Sequence, residues 1–279
     1  MPYKHAGEYG DVLKHLPLCE ILSIEKPLRY HETNSSCSGH TISRNPNTEY
    51  GVFGFMHKLG DTWTGFEYFR LLRANGIDNM RYTGSPGLAM GVLGERTKYF
   101  FHDIEAEAIE DVTQYALSKD LKANLHTFCG DSRKTFLSED YLLYESDFLL
   151  IDPYELFEKN DVGEKFFDVF EKSLISGSKT LLWYGFGHLT GKKQIADYLR
   201  YLSEKHTMHI WSFDLWLKCM TEERCVICPG VPGCGLACAN LSDKSVGVLT
   251  ETLQLISGYY TNAEYCGHHA TLVCETTKY

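Results

Sequence analysis

The chain has 279 residues and 31.8 kDa, with 27 Lys and Arg against 37 Asp and Glu, a formal net charge of −10 and a pI of 5.6. Its 43% hydrophobic and 23% charged residues describe an ordinary globular chain and exclude long disorder. The acidic balance excludes a surface that coats polyanions everywhere, though not a local basic groove. No run reaches the ~20 apolar residues that span a bilayer. Residues 1–5 lack the layout of a signal peptide, so a cytoplasmic protein without a membrane partner is expected.

In chain order, apolar strand-like runs alternate with amphipathic helical ones. A helix is expected over 9–24 and a strand over 28–33. That strand runs into Glu32, Asn34, Ser35, Ser36, Cys37 and Ser38, small polar residues that let a loop approach a ligand closely. Residues 41–85 break the alternation. They are rich in Gly, Asn, Thr and aromatics, with one clear helix near 66–74, and read as a small inserted helical subdomain of a single domain spanning 1–279. Tyr50, Phe53, Phe55, Trp63 and Phe66 are dense enough there to form a base-stacking wall, although such aromatics are usually core.

Further on, helices are expected over 86–95, 105–119, 161–175, 191–205 and 246–258. Strands are expected over 98–104, 125–129, 148–152, 180–186, 209–217 and 235–241. Runs such as Phe148 to Ile151 are continuously apolar, the mark of strands buried on both faces. The alternation means an α/β protein with a mostly parallel sheet, its ligand site outside the carboxyl ends of the strands. Asp103, Asp131 and Asp152 each follow a strand and gather at that edge. The acid after the second strand usually accepts from ribose hydroxyls, while any single one is more often a helix cap. The acidic stretch 105–111 reads as a solvated helix face.

Asp152, Pro153 and Tyr154 carry the most chemistry. The lone pair of an aromatic amine is delocalised into its ring. An acidic side chain and a neighbouring backbone carbonyl accept from both N–H groups and favour a pyramidal nitrogen. A following aromatic ring stacks on the base, worth ~1–3 kcal/mol. Proline stiffens the loop and leaves its carbonyl free.

Ten cysteines without a secretory layout are expected as reduced thiols. Cys225, Cys228, Cys234 and Cys238 invite a metal reading. However, Cys234 and Cys238 on one strand lie ~13 Å apart at ~3.3 Å per residue, so no metal is expected. His57, His126 and His206 read as surface or packing residues, and His268 and His269 as part of a tail turn.

Several of these segments resemble the RlmJ-type methyltransferases, which methylate an adenine N6 in large-subunit ribosomal RNA with S-adenosylmethionine. Tyr3-Lys4-His5-Ala6-Gly7 and Gly10-Asp11-Val12-Leu13-Lys14-His15 resemble that family's opening segment. Tyr82 to Pro86 resembles its P-G-S-P turn, and residues 149–154 its L-I-D-P-P-Y. Leu182-Trp183-Tyr184 resembles its L-W-Y strand, and Gly267 to Thr271 its G-H-A-T tail. The likeness runs over nearly the whole chain. It implies a Rossmann-like class I methyltransferase sheet with a small inserted helical subdomain.

It also implies site roles. S-adenosylmethionine would be held by Lys14, His15, Asn34, Ser85, Asp103, Asp131, Ser132 and Asp152. Asp152, Pro153 and Tyr154 would be catalytic. Tyr3 and Lys4 would meet the nucleic acid, RNA ahead of DNA. The chain departs from the family in having one proline before Tyr154. It also places Ser or Cys where the family's first loop has glycines. These departures leave two alternatives: a methyltransferase-fold binding protein without catalysis, or a methyltransferase with an acceptor that is not a nucleic acid.

Overall fold

A computed structural model describes residues 5–221 and 229–279, excepting the side chains at 61, 63 and 64. Tyr3, Lys4, Cys225 and Cys228, singled out above, lie outside the described residues, as does the side chain of Trp63. In chain order, helix α1 (Tyr9–Glu25) precedes strand β1 (Arg29–Glu32), then β2 (Gly39–Thr41), α2 (Pro46–Tyr50), α3 (Val52–Leu59), α4 (Glu67–Ala74), β3 (Arg81–Thr83) and α5 (Ser85–Leu93). Next come β4 (Lys98–Asp103), α6 (Ala106–Ser118), β5 (Leu125–Cys129), α7 (Ser132–Leu137), β6 (Asp147–Ile151) and α8 (Phe166–Ser176). The remainder is β7 (Lys179–Phe186), α9 (Leu189–His206), β8 (Ile210–Leu217), β9 (Gly233–Ala239), α10 (Asp243–Tyr260), β10 (Glu264–Tyr265), β11 (His268–His269) and β12 (Leu272–Lys278).

Eight strands form the main sheet in the order β12-β8-β9-β7-β6-β1-β4-β5. β5, β4, β1, β6 and β7 pair in parallel, while β9 runs antiparallel to both β7 and β8. This is the mostly parallel, Rossmann-like α/β sheet expected from the sequence. β1 has β4 on one side and β6 on the other, so the strand order reverses there and opens a crevice at the carboxyl ends of β1 and β6.

Strand alternation divides the core. Along β6, Phe148 and Leu150 face a cluster shared with α1 (Leu13, Leu16), α4 (Phe69, Leu72), α6 (Val112) and α10 (Leu253, Ile256). Leu149 and Ile151 face the opposite cluster, with Phe167 and Phe170 of α8 and Leu199 and Leu202 of α9. Burial on both faces is why these strands read as unbroken apolar runs.

The segment expected as an insert is a run of short helices whose two ends pair as the antiparallel ribbon β2–β3. Tyr50, Phe53 and Phe55 are buried in the core, so the base-stacking wall is corrected for these three. They are packing residues because Tyr50 seals against Tyr260 and Phe55 against Phe69 and Tyr259. Cys234 and Cys238 lie buried four residues apart on β9, both in the α1-side cluster. Among the described residues no three His, Cys, Asp or Glu side chains gather as a metal-binding set. Cys219 is disulfide-bonded, a correction to the fully reduced set expected; a compartment argument carries no information on whether two sulfurs lie within bonding distance. His268 and His269 face β10 across a tight turn in which Cys266 and Gly267 both take positive φ. Among the described residues no helix is long and apolar enough to cross a membrane.

Candidate functional site

At the tip of β6, Asp152 points to the α1 side. Lys14 of α1 reaches it with an Nζ–Oδ2 distance of 2.6 Å and also meets Asp11 at 3.2 Å. Burial opposes the Lys14 charge, but Asp152 and Asp11 outweigh it and hold the ammonium well above its ordinary pKa. Burial raises the Asp152 pKa, with Lys14 pulling against it. The tips of β1 and β6 are joined through Thr33. Its hydroxyl donates to Asn34 Oδ1 at 2.7 Å and lies 3.4 Å from the Asp152 amide, while its own amide donates to Leu150 O. Pro153 is buried, whereas Tyr154, two residues after Asp152, is 94% exposed.

Glu32, at the end of β1, is fully buried; it accepts from Ser85 Oγ at the start of α5 and from the Tyr30 hydroxyl at 3.2 Å. Burial pushes its pKa well above the usual carboxylate range. Ser85 opposes that, and the Asp152 charge adds to it. His15 is turned to the base of the insert, its Nδ1 2.7 Å from the Tyr82 hydroxyl. Burial, then the Lys14 charge, lowers its pKa to about 3, so the ring is neutral.

Asp103 ends β4 on the same sheet face as Phe101 and is only 3% exposed. The loop after β1 folds over it: Ser36 N donates to Asp103 Oδ2 at 2.7 Å and Glu105 N to Oδ1 at 2.9 Å. Ser36 adopts φ 55°, a left-handed backbone that suits glycine. The loop therefore keeps the glycine-type turn with a side chain in place. Asp111 clamps its far end, accepting from Ser38 N at 2.7 Å and Ser38 Oγ at 2.6 Å. That corrects the reading of 105–111 as purely solvated, because Asp111 faces inward from α6.

Gly84 lets the Cys37 carbonyl lie directly against the α5 start, where a Cβ would collide with backbone. Gly84→Ala is expected to push this loop outward and destabilise the protein by about 1–3 kcal/mol. Faster amide exchange across residues 35–38 would accompany the lower melting temperature; an unchanged melting curve would count against the close-approach role.

Asp131 caps α7, accepting from Arg133 N at 3.1 Å. It also holds the Arg133 side chain at 2.9 and 3.1 Å and Asn160 at 3.0 Å. Burial raises its pKa, but the Arg133 and Asn160 bonds prevail and lower it. Its carboxylate is thus committed to the cap and ion pair, the commoner fate of an acid after a strand. Beside it the Ser132 hydroxyl is buried without a partner among the described residues, as are those of Ser35 and Ser36 and the Nε2 atoms of His15 and His102. Sequence reasoning gave Trp183 no role of its own. It stands on β7 beside this edge, its indole N–H buried and without a partner among the described residues, with Lys14 Nζ 5.6 Å from the ring centroid. Its only signal was membership of the L-W-Y strand.

The arrangement is a crevice edge at the sheet's reversal point, with a largely buried lysine–carboxylate pair, an exposed aromatic two residues further along the chain and several polar atoms without a partner among the described residues. Compared with solved structures, the chain is similar to a Legionella pneumophila protein of the family-model DUF519, at 18% identity and a TM-score of 0.71 over 97% of this chain and 98% of that one. A methyltransferase from Geobacter sulfurreducens matches at 12% identity and TM-score 0.39, covering 84% and 78%. A SAM-dependent O-methyltransferase from Thermotoga maritima matches at 10% and 0.40, covering 81% and 63%. At such identities the likeness concerns the fold. No family model and no curated protein matches the chain.

Proposed function

We propose that the chain is an S-adenosylmethionine-dependent methyltransferase of the RlmJ type, acting on the N6 amine of adenine in nucleic acid, with RNA ahead of DNA. The observation that carries this reading is the Asp152 carboxylate at the tip of β6, beside the reversal point, followed by a buried proline and an exposed tyrosine. The orphaned hydroxyls of Ser35, Ser36 and Ser132 fit a polar ligand along the same edge. Asn34, Ser36, Asp103 and Ser132 are the residues that would hold the cofactor, which supplies an electrophilic methyl group on a sulfonium.

The chain's own work is orientation. Lys14 fixes the Asp152 carboxylate. The carboxylate and the backbone carbonyl beside it accept the two amine N–H bonds, aiming the nitrogen lone pair. Tyr154 stacks on the base. The proton leaves to solvent after transfer. With a net charge of −10, phosphate contacts must be local rather than spread over the surface, and a cytoplasmic RNA is the acceptor this reading favours.

The second reading is a binding protein without catalysis. It is favoured by the near-complete cover of Asp103 by a loop carrying Ser36 at positive φ. Calorimetry separates the two: the methyltransferase reading expects S-adenosylmethionine to bind in the micromolar range, and no binding at millimolar ligand would favour the second. Labelled methyl transfer to total RNA, DNA and protein fractions then identifies the acceptor. Label appearing only in protein would overturn the adenine assignment.

A further inference from the structure

Trp183 adjoins Asp152 for a reason fixed by strand register. Ile151 of β6 pairs with Leu182 of β7, so the next step along both parallel strands sets Asp152 and Trp183 side by side. Both turn to the α1 face. Asp152 meets Lys14 there, and Trp183 packs against the α1-side core cluster. Neighbouring strands are ~4.8 Å apart, so the carboxylate and the indole form one short recognition edge.

The indole is held in place. Gly10 of α1 and Gly185 of β7 lie along its benzo ring together with Val231, and Lys14 Nζ stands 5.6 Å from its centroid. A ring so confined keeps its N–H direction. That N–H is buried and has no partner among the described residues. A stranded donor in a native structure calls for an explanation, and a ligand atom that accepts from it supplies one.

We infer that the Trp183 indole N–H is a specificity element for the acceptor, donating to the ring nitrogen bonded to the amine-bearing carbon of the base. This rests on the methyltransferase reading and deepens it. Asp152 takes hydrogens from the exocyclic amine, and Trp183 gives one to the adjacent ring nitrogen. The pair therefore selects six-membered heteroaromatics that present a donor and an acceptor side by side, and adenine is one.

The test uses full-length wild type and Trp183→Phe, which keeps an aromatic ring and removes the N–H. Substrates are oligonucleotides containing a single adenine, 1-deazaadenine or 7-deazaadenine. For the wild type, kcat/KM falls about tenfold on the 1-deaza base, the loss of one hydrogen bond, and stays level on the 7-deaza base. Trp183→Phe loses about tenfold on adenine, mainly through KM, and no longer distinguishes adenine from 1-deazaadenine. Its cofactor affinity and melting temperature match the wild type. If Trp183→Phe retains the full 1-deaza discrimination, or if the 7-deaza base is the one discriminated, this inference fails and the methyltransferase reading stands. If the wild type transfers no methyl group to adenine, both fail together.

Discussion

Asp152→Ala is expected to reduce methyl transfer at least 10²–10³-fold, the size of effect seen when one group that orients or stabilises the reacting centre is removed. Cofactor binding persists, because Asp103 and the orphaned serines stay in place. Asp152→Asn retains an accepting oxygen and keeps a measurable fraction of the activity. The ion pair with Lys14 adds a stability effect. Removing one partner of a buried pair costs about 3–5 kcal/mol, lessened here because Asp11 remains 3.2 Å from Lys14. The alanine variant therefore melts lower and is assayed well below its transition, with calorimetry checking cofactor affinity. Activity within threefold of wild type would remove Asp152 from the reaction. The acid limb of the wild-type rate profile provides a second check. Burial raises the Asp152 pKa, and the ionised form is the stronger acceptor for the amine hydrogens. Activity is therefore lost as pH falls, and at a higher pH than an ordinary carboxylate at 3.8 would give.

The largest expected effect on stability lies at the opposite end of the same strand. Asp147 is fully buried and holds Arg29 through contacts of 2.8 and 2.5 Å; it also accepts from the Tyr144 amide at 2.9 Å. Burial alone would raise its pKa. The His31 ring at 3.6 Å, the Arg29 guanidinium and the Tyr144 amide outweigh that and bring it down from 3.8 to about 2. Asp147→Ala strands the Arg29 charge and is expected to cost about 3–5 kcal/mol, or roughly 10 °C in melting temperature. The sign of the pH effect follows from the depressed value. The stabilisation is complete above the unfolded pKa of 3.8 and is lost as pH falls through the folded value of about 2. Denaturant titrations between about pH 5 and pH 2, the range in which that loss develops, should show a shallower decline for Asp147→Asn than for wild type. Parallel curves would remove Asp147 from the acid response.

The seven sheet strands expected from sequence match β1, β4, β5, β6, β7, β8 and β9; burial on two faces leaves an unbroken apolar run in β6, whereas β5 is an edge strand with no buried residue. β12 gave no such signal. Among the described residues it is an edge strand paired with β8 alone, and its Glu275 and Thr276 are exposed. Helix α7 is six residues long, and its one marker, the Asp131 cap, is the same residue type that a ligand site uses. The helix expected over 161–175 starts later, at Phe166, because residues 161–165 form a turn held by Asn160 and Glu164. Within the candidate site, Lys14, Asp103 and Asp152 could be read from motif and strand-end position. The cover of the loop over Asp103 and the stranded Trp183 donor could not, because each depends on contacts across strands; the pairing of Asp131 with Arg133 is local, but a side chain two residues on gives no sign in sequence of folding back onto the cap. Asp147 was invisible for a related reason: a charge at a strand start looks solvated until its partner Arg29 is seen on the neighbouring strand.

Helix α1, which brings Lys14 to the crevice, rests against α10 as well as α4 and α5. The two helices lie more than two hundred residues apart along the chain, α1 ending at Glu25 and α10 beginning at Asp243. Contacts so distant in sequence close slowly. On a growing chain the apolar side of α1, with Leu13, Leu16 and Ile21, has to wait for its last neighbour. The crevice is therefore expected to close after the local strand–helix units have formed, and any chaperone need should fall in that interval.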